Sequence, residues 1–227
     1  APDGGVLACA LSGCDAGRVV FATGQPQAQG IAVTDASIFW SNNVQVDGSV
    51  NACPLSGCPA AGPTLIAGGP GPGSVLASDD ALFWVVNPGN KVLTCPLGGC
   101  DGGPQAFASG LQSPYFLALH AGILYWSDYD PNAGEVLACP VTGCGSAPTI
   151  IAKDEAPEGI AVDDSGVYWV TNTALGTVRS CPLTGCGGAA PRTLASGQAS
   201  PFAIAVSATS IFWTNTGDGT VMKLAKP

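Results

Sequence analysis

The chain is short of charge, and of positive charge above all: seven Lys and Arg stand against sixteen Asp and Glu, for a formal net charge of −9 over 227 residues. So few basic side chains cannot build the patch that a phosphate backbone or an anionic bilayer requires, and neither nucleic acid nor a membrane surface is an expected partner. No run reaches the roughly 18 consecutive apolar residues of a membrane helix, so no membrane insertion is expected, and helical periodicity is missing throughout. The single histidine, His120, is too little for a histidine-rich metal centre or a catalytic triad, and a structural role is expected for it. N-glycosylation has no Asn-x-Ser/Thr acceptor. The start at Ala1-Pro2, with no initiator Met, reads as a mature or trimmed product.

What the chain does hold is glycine, proline and cysteine: 32, 19 and 10 residues, in a sequence that is 46% apolar. That is the profile of short buried strands joined by tight turns. The cysteines form five evenly spaced pairs, Cys9/Cys14, Cys53/Cys58, Cys95/Cys100, Cys139/Cys144 and Cys181/Cys186, beginning 44, 42, 44 and 42 residues apart. An aromatic-Trp pair follows the same period: Phe39-Trp40, Phe83-Trp84, Tyr125-Trp126, Tyr168-Trp169 and Phe212-Trp213 use all five tryptophans. Paired cysteines at this density point to an extracellular, periplasmic or cell-surface location.

Each repeat reads as four strands. Strand A carries an apolar triplet such as Ile31-Ala32-Val33 or Ile160-Ala161-Val162; strand B carries the aromatic-Trp pair; strand C runs into the first cysteine and strand D follows the second. Four strands in 42 to 44 residues match a propeller blade. The expected fold is all-β, a five-bladed β-propeller with six blades as the alternative, in one domain over 1–227. Its repeats fall near 25–68, 69–110, 111–153 and 154–197, and 198–227 joins 1–24 to close the ring. The tally gives 21 strands where five closed blades need 20, because C-type strands occur at both termini, around Val6 and around Met222. The N-terminal copy is expected to stay with its hairpin, and the Met222 segment to compete for the place beside strand B. A surplus edge strand offers a route to self-association by strand addition.

Phe39-Trp40-Ser41-Asn42, Tyr125-Trp126-Ser127-Asp128 and Phe212-Trp213-Thr214-Asn215, with the Leu-x-Gly turn and the Pro leading into strand A that mark the repeat, resemble the YWTD propellers of lipoprotein receptors. Bacterial secreted repeat proteins of unknown role share the pattern. The resemblance covers every repeat and implies a fold more firmly than a function. The chain departs from that family in having five aromatic-Trp markers where the family closes six blades, and in its Cys-x4-Cys staple.

Cysteines at i and i+5 flank a four-residue hairpin loop, where they would sit opposite one another roughly 4.5 to 5.5 Å apart at Cα, within disulfide range. Each pair is therefore expected to close on itself. Thiolate metal binding would need four ligands converging on one ion, and one pair per blade edge does not converge.

In an up-and-down blade the A–B and C–D connections share one face, with the disulfide hairpins, and the B–C and D–A connections share the other. The copies differ most on the second face, where one equivalent position, placed at the end of the D–A connection, reads Gln29, Gly73, Tyr115, Glu158 and Phe202. Divergence among internal copies suits a single asymmetric site. Gln29, Tyr115, Asp128, Tyr129, Glu158 and Phe202 are the candidate ligand-binding residues, acidic and aromatic enough for a cationic or hydroxyl-rich ligand. Asp128, Asp130 and Asn132 alternate like oxygen ligands of a calcium loop, with Ala133 where an EF-hand has glycine; calcium is the one cofactor considered. The function expected is a secreted or cell-surface, non-catalytic binding or scaffold propeller for a protein, peptide or glycan. A self-associating structural protein and a calcium-dependent hydrolase or lyase are the alternatives.

Overall fold

The computed structural model describes residues 4–14, 17–145 and 147–227, in two compact units, Ala1–Ala106 and Phe107–Pro227. In the first, β1 (Val6–Ala8) and β2 (Val19–Ala22) form a hairpin. The sheet β3 (Ala28–Val33), β4 (Ser37–Asn42), β5 (Ser49–Pro54), β6 (Thr64–Gly68) follows. The next sheet is β7 (Pro72–Ala77), β8 (Ala81–Val86), β9 (Lys91–Pro96) and β10 (Gln105–Ser109), within which the first unit ends.

The second unit repeats the scheme. It holds the sheet β11 (Pro114–His120), β12 (Ile123–Asp128), β13 (Gly134–Pro140), β14 (Thr149–Asp154) and the sheet β15 (Pro157–Asp163), β16 (Gly166–Thr171), β17 (Gly176–Cys181), β18 (Arg192–Gln198). A three-stranded sheet, β19 (Pro201–Val206), β20 (Ser210–Asn215), β21 (Thr220–Ala225), ends the chain. Every sheet pairs its strands in sequence order and antiparallel, as the A-to-D reading expects. The described residues contain no helix, hence none long and apolar enough to cross a membrane.

The aromatic-Trp pair explains the stacking of sheets within each unit. Neighbouring residues of a strand point to opposite faces, so the aromatic covers one sheet and the tryptophan the other. Phe39 of β4 meets Trp84 of β8 in one core cluster, Tyr125 of β12 meets Trp169 of β16, and Tyr168 of β16 meets Trp213 of β20. Trp40 packs instead on Val6 and Ala22 of the N-terminal hairpin. The hairpin thus covers the first sheet as the C and D strands of a preceding blade would. At the other end β21 holds the place beside β20, with Met222 opposite Trp213.

All five cysteine pairs, Cys9–Cys14, Cys53–Cys58, Cys95–Cys100, Cys139–Cys144 and Cys181–Cys186, are disulfides closed on themselves, with Cα–Cα separations of 4.8 to 5.3 Å, and no cysteine is free. The two halves of a bridge are not, however, the opposed strand residues that a four-residue hairpin loop predicts. Cys53, Cys95, Cys139 and Cys181 are buried in strand C, whereas Cys14, Cys58, Cys100, Cys144 and Cys186 lie outside every strand. Strand D begins only five or six residues further on, at Val19, Thr64, Gln105, Thr149 and Arg192. The cause is the turn between the cysteines. It ends on a glycine of positive φ, as at Gly57 (118°) and Gly143 (125°), whose N–H donates to the carbonyl three residues back. This conformation strains any other residue, and it carries the chain out of the ladder, so the second cysteine is held to strand C by sulfur and not by paired backbone. Cys14 is exposed, while Cys58, Cys144 and Cys186 are half-buried. Cys58 packs on the Trp40 cluster, and the Cys186 N–H donates to the Ile151 carbonyl of β14 at 2.9 Å.

Strand A begins earlier than its apolar triplet suggests. Each copy starts three residues upstream and carries a β-bulge, at 28–31, 72–75, 114–117, 157–160 and 201–204. The variable position therefore lies inside strand A, on the bulge, and not at the end of a connection. The extra residue breaks the apolar alternation, so sequence pattern alone stops short of it.

Candidate functional site

The bulge is held by the residue after each tryptophan where that residue has a hydroxyl. Ser127 Oγ accepts the Phe116 N–H at 3.2 Å, Thr214 Oγ1 accepts the Ala203 N–H at 3.1 Å and Ser41 Oγ accepts the Gly30 N–H at 2.9 Å. These bonds satisfy an N–H the ladder cannot use and fix the direction of the bulge side chains. In the second unit those side chains are aromatic or acidic, and they meet. The Tyr115 ring lies 6.2 Å from Phe202, nearly perpendicular to it, and 6.4 Å from Tyr129; Phe116 lies 5.4 Å from Phe202. Edge-to-face contacts at these distances are favourable ring geometries.

Tyr115 is on β11 and Phe202 on β19, and β15 packs against both. Glu158 occupies the same bulge position on β15. It is 4% exposed; the Asn172 side chain bonds the carboxylate, yet Oε2 has no partner among the described residues. Burial pushes the Glu158 carboxyl up to about 7. The Tyr115 hydroxyl is pushed up by its own burial, then by the charges of Glu158 and Tyr129. A buried acid acting on the half-exposed Tyr115, with one oxygen unsatisfied, can hold a proton near neutrality or accept a cation.

Four of the six candidate binding residues, Tyr115, Tyr129, Glu158 and Phe202, thus come together. Gln29 lies in the first unit, where Asn43 donates to its side-chain carbonyl. Asp128 is buried, and its carboxylate accepts the N–H groups of Gln112 and Ser113 at 2.7 to 3.0 Å, which ties the D–A connection to strand B. Burial raises its pKa, and those two N–H groups pull the other way. Asp130 Oδ1 accepts the N–H groups of Asn132 and Ala133, closing its own turn. Both calcium-candidate carboxylates are therefore held by backbone donors, and no group of three or more His, Cys, Asp or Glu converges among the described residues. His120 Nε2 sits 3.1 Å from the exposed Asp164.

Sequence reading missed Phe116, Asn172 and the position fifteen residues before each tryptophan. That position is Gln25, Gly69, Leu111, Asp154 and Gln198. Gln25 accepts the Trp40 indole N–H at 2.8 Å, Asp154 that of Trp169 at 3.0 Å and Gln198 that of Trp213 at 2.9 Å. Leu111 has nothing to offer, and the buried Trp126 Nε1 is unpartnered among the described residues. The constant offset is the signal that finds it, hidden by the change of residue type.

No family model matches the sequence, and no curated protein matches it. Solved structures do resemble it. A chain of a nidogen/laminin complex aligns over 92% of this chain and 80% of its own length, with a TM-score of 0.73 at 19% identity. A hydrazine synthase from Kuenenia stuttgartiensis aligns over 91% and 67%, with a TM-score of 0.71 at 12% identity. A TolB-type structure from Agrobacterium tumefaciens aligns over 91% and 83%, with a TM-score of 0.66 at 9% identity. The fold is a β-propeller. The propeller likeness fits the YWTD-type blade pattern, and at these identities it speaks to fold alone. In propeller terms the aromatic cluster lies where the D–A connections feed strand A, opposite the disulfide turns.

Proposed function

We propose that this chain is an extracellular or cell-surface binding propeller whose D–A/B–C loop face engages a protein or peptide. The observation that carries it is the ring cluster of Tyr115, Phe116, Tyr129 and Phe202 beside Glu158, in which Tyr115, Glu158 and Phe202 hold the strand-A position where the copies differ most. Aromatics of this kind supply large contact area at low entropic cost. The nidogen/laminin complex, which contains a propeller-like chain joined to a protein, supports a protein partner, and five local disulfides support an oxidising compartment. The same reading takes the chain as one five-bladed domain closed by β1–β2 and β19–β21.

Peptide and glycan arrays probed with the full chain test it. Peptide hits that disappear with Tyr115→Ala and Phe202→Ala, while the melting temperature holds, are expected. Glycan hits, or hits indifferent to both variants, would overturn it. Self-association is favoured by a separate observation: β21 is the last strand of its sheet, with Val221 74% and Met222 38% exposed. Light scattering at rising concentration tests that reading, and a constant monomer mass would end it.

A further inference from the structure

The cluster has two properties that a generic apolar contact surface lacks. One is the carboxylate whose charge acts on Tyr115: Glu158 is buried, outside every ion pair of the described residues, with Oε2 lacking a hydrogen-bond partner. A buried carboxylate oxygen with no donor is expensive to hold, and nothing in the fold requires it, since the same strand position is glycine in β7 and phenylalanine in β19. The other is a set of rings drawn from three segments, Tyr115 and Phe116 on β11, Tyr129 after β12 and Phe202 on β19, with centroids 5.4 to 6.4 Å apart. Rings beside an anion can hold an organic cation by charge and by ring quadrupoles together.

Resting on the binding reading above, we propose that Tyr115, Tyr129, Phe202 and Glu158 form a receptor for one cationic side chain, a lysine ammonium or an arginine guanidinium, presented by the protein or peptide partner. The cation reaches Glu158 by displacing the edge-to-face contact of Tyr115 with Phe202, and its N–H groups complete the bonding of Oε2. Asn172, bonded to the same carboxylate, holds it in place. The groups that face Glu158 are Tyr115 from β11 and Asn172 from the loop after β16, and the charge that acts on Tyr115 is that of Glu158, with Tyr129 beside it. Cation binding requires the ionised acid. The free site is largely protonated below neutrality because burial raises the Glu158 carboxyl to about 7, so binding there releases a proton to solvent.

The test uses the full chain with n-butylammonium and n-propylguanidinium as probes and n-pentanol as the neutral control, followed by aromatic-region NMR titration. Both cations are expected to perturb the Tyr115 and Phe202 resonances at pH 8. Binding should weaken about tenfold or more at pH 5.5, as the ionised fraction of a group titrating near 7 falls. Glu158→Gln, which mimics the protonated acid, should weaken cation binding by a similar factor with its melting temperature unreduced. Calorimetry at pH 6.5 in buffers of different ionisation enthalpy should register proton release. The two probes rank ammonium against guanidinium. Pentanol binding as tightly as the cations, Glu158→Gln binding unchanged, or no cation binding at pH 8 would each overturn the proposal. Peptide hits lost with Tyr115→Ala yet kept with Glu158→Gln would sink the cation receptor while leaving the binding face intact.

Discussion

At the scale of single residues, Glu158 sets the pH response. Its folded pKa, about 7, lies above the ordinary value of 4.5. Between those values the folded state holds a proton that the unfolded state has released, so stability falls as pH rises from about 4.5 and levels off above about 7. The shift corresponds to at most about 3 kcal/mol, and Asp128 and Asp154, both raised by burial, act in the same direction. Glu158→Gln should therefore match the parent near pH 4.5 and exceed it by ~1–3 kcal/mol at pH 8 in urea unfolding; equal stability at both pH values would contradict the burial argument. The indole acceptors give a second expectation. Gln25→Leu leaves Trp40 Nε1 and Asn42 Nδ2 without the oxygen they share, and should cost about 1–3 kcal/mol by the same measurement. The residues of the site are only half legible in the sequence. Aligning copies on tryptophan places Tyr115, Glu158 and Phe202 at one position, but the burial of Glu158 and the meeting of Tyr115 with Phe202 across strands are set by tertiary packing, which no spacing encodes. Asp128 reads as a ligand because its true partners are backbone N–H groups about fifteen positions away, with no side-chain signature.

At the scale of elements, strand A and the disulfide turn are the most demanding parts of the repeat. Successive A strands approach so closely that a Cβ on Gly159 of β15 would stand 2.9 Å from Ala203 Cα and 3.0 Å from Ile204 N of β19. Gly159→Ala should destabilise by ~1–3 kcal/mol and move Glu158 with the bulge, so the tyrosine absorbance titration should shift along with the melting temperature. The bridges are independent small contributors. Replacing Cys95 and Cys100 together by serine opens a ring of about six residues and should cost roughly 2 kcal/mol in the chain-entropy account, read as a fall in denaturant midpoint with unchanged slope. The elements themselves are legible, because tryptophan and cysteine recur with one period. Cysteine spacing gives the pairing but not the placement of Cys58, Cys144 and Cys186 off the ladder, since that depends on where the glycine turn sends the chain. The bulge escapes as well, because its extra residue falls where the apolar alternation ends.

At the scale of the whole molecule, the two termini play unequal parts. Val6 and Ala22 are buried against Trp40, whereas Val221, Met222 and Lys223 of β21 are exposed, and beyond its ladder with β20 the strand is held by Leu224 and by Lys226, which pairs with Asp163. Removing residues 1–24 should lower the melting temperature well beyond the loss from removing 219–227; equal small losses would show that ring closure does not depend on the N-terminal hairpin. The disulfides tie no sheet to its neighbour. Each links residues only five apart in sequence, so no bridge joins one sheet to another or one terminus to the rest. A molecule pulled from its ends would lose its blades one after another and extend to nearly its full contour, with five small covalent knots left along the thread. Resistance to tension must come entirely from noncovalent stacking and strand pairing, and a reducing agent would soften each blade while adding almost nothing to the reach of the extended chain.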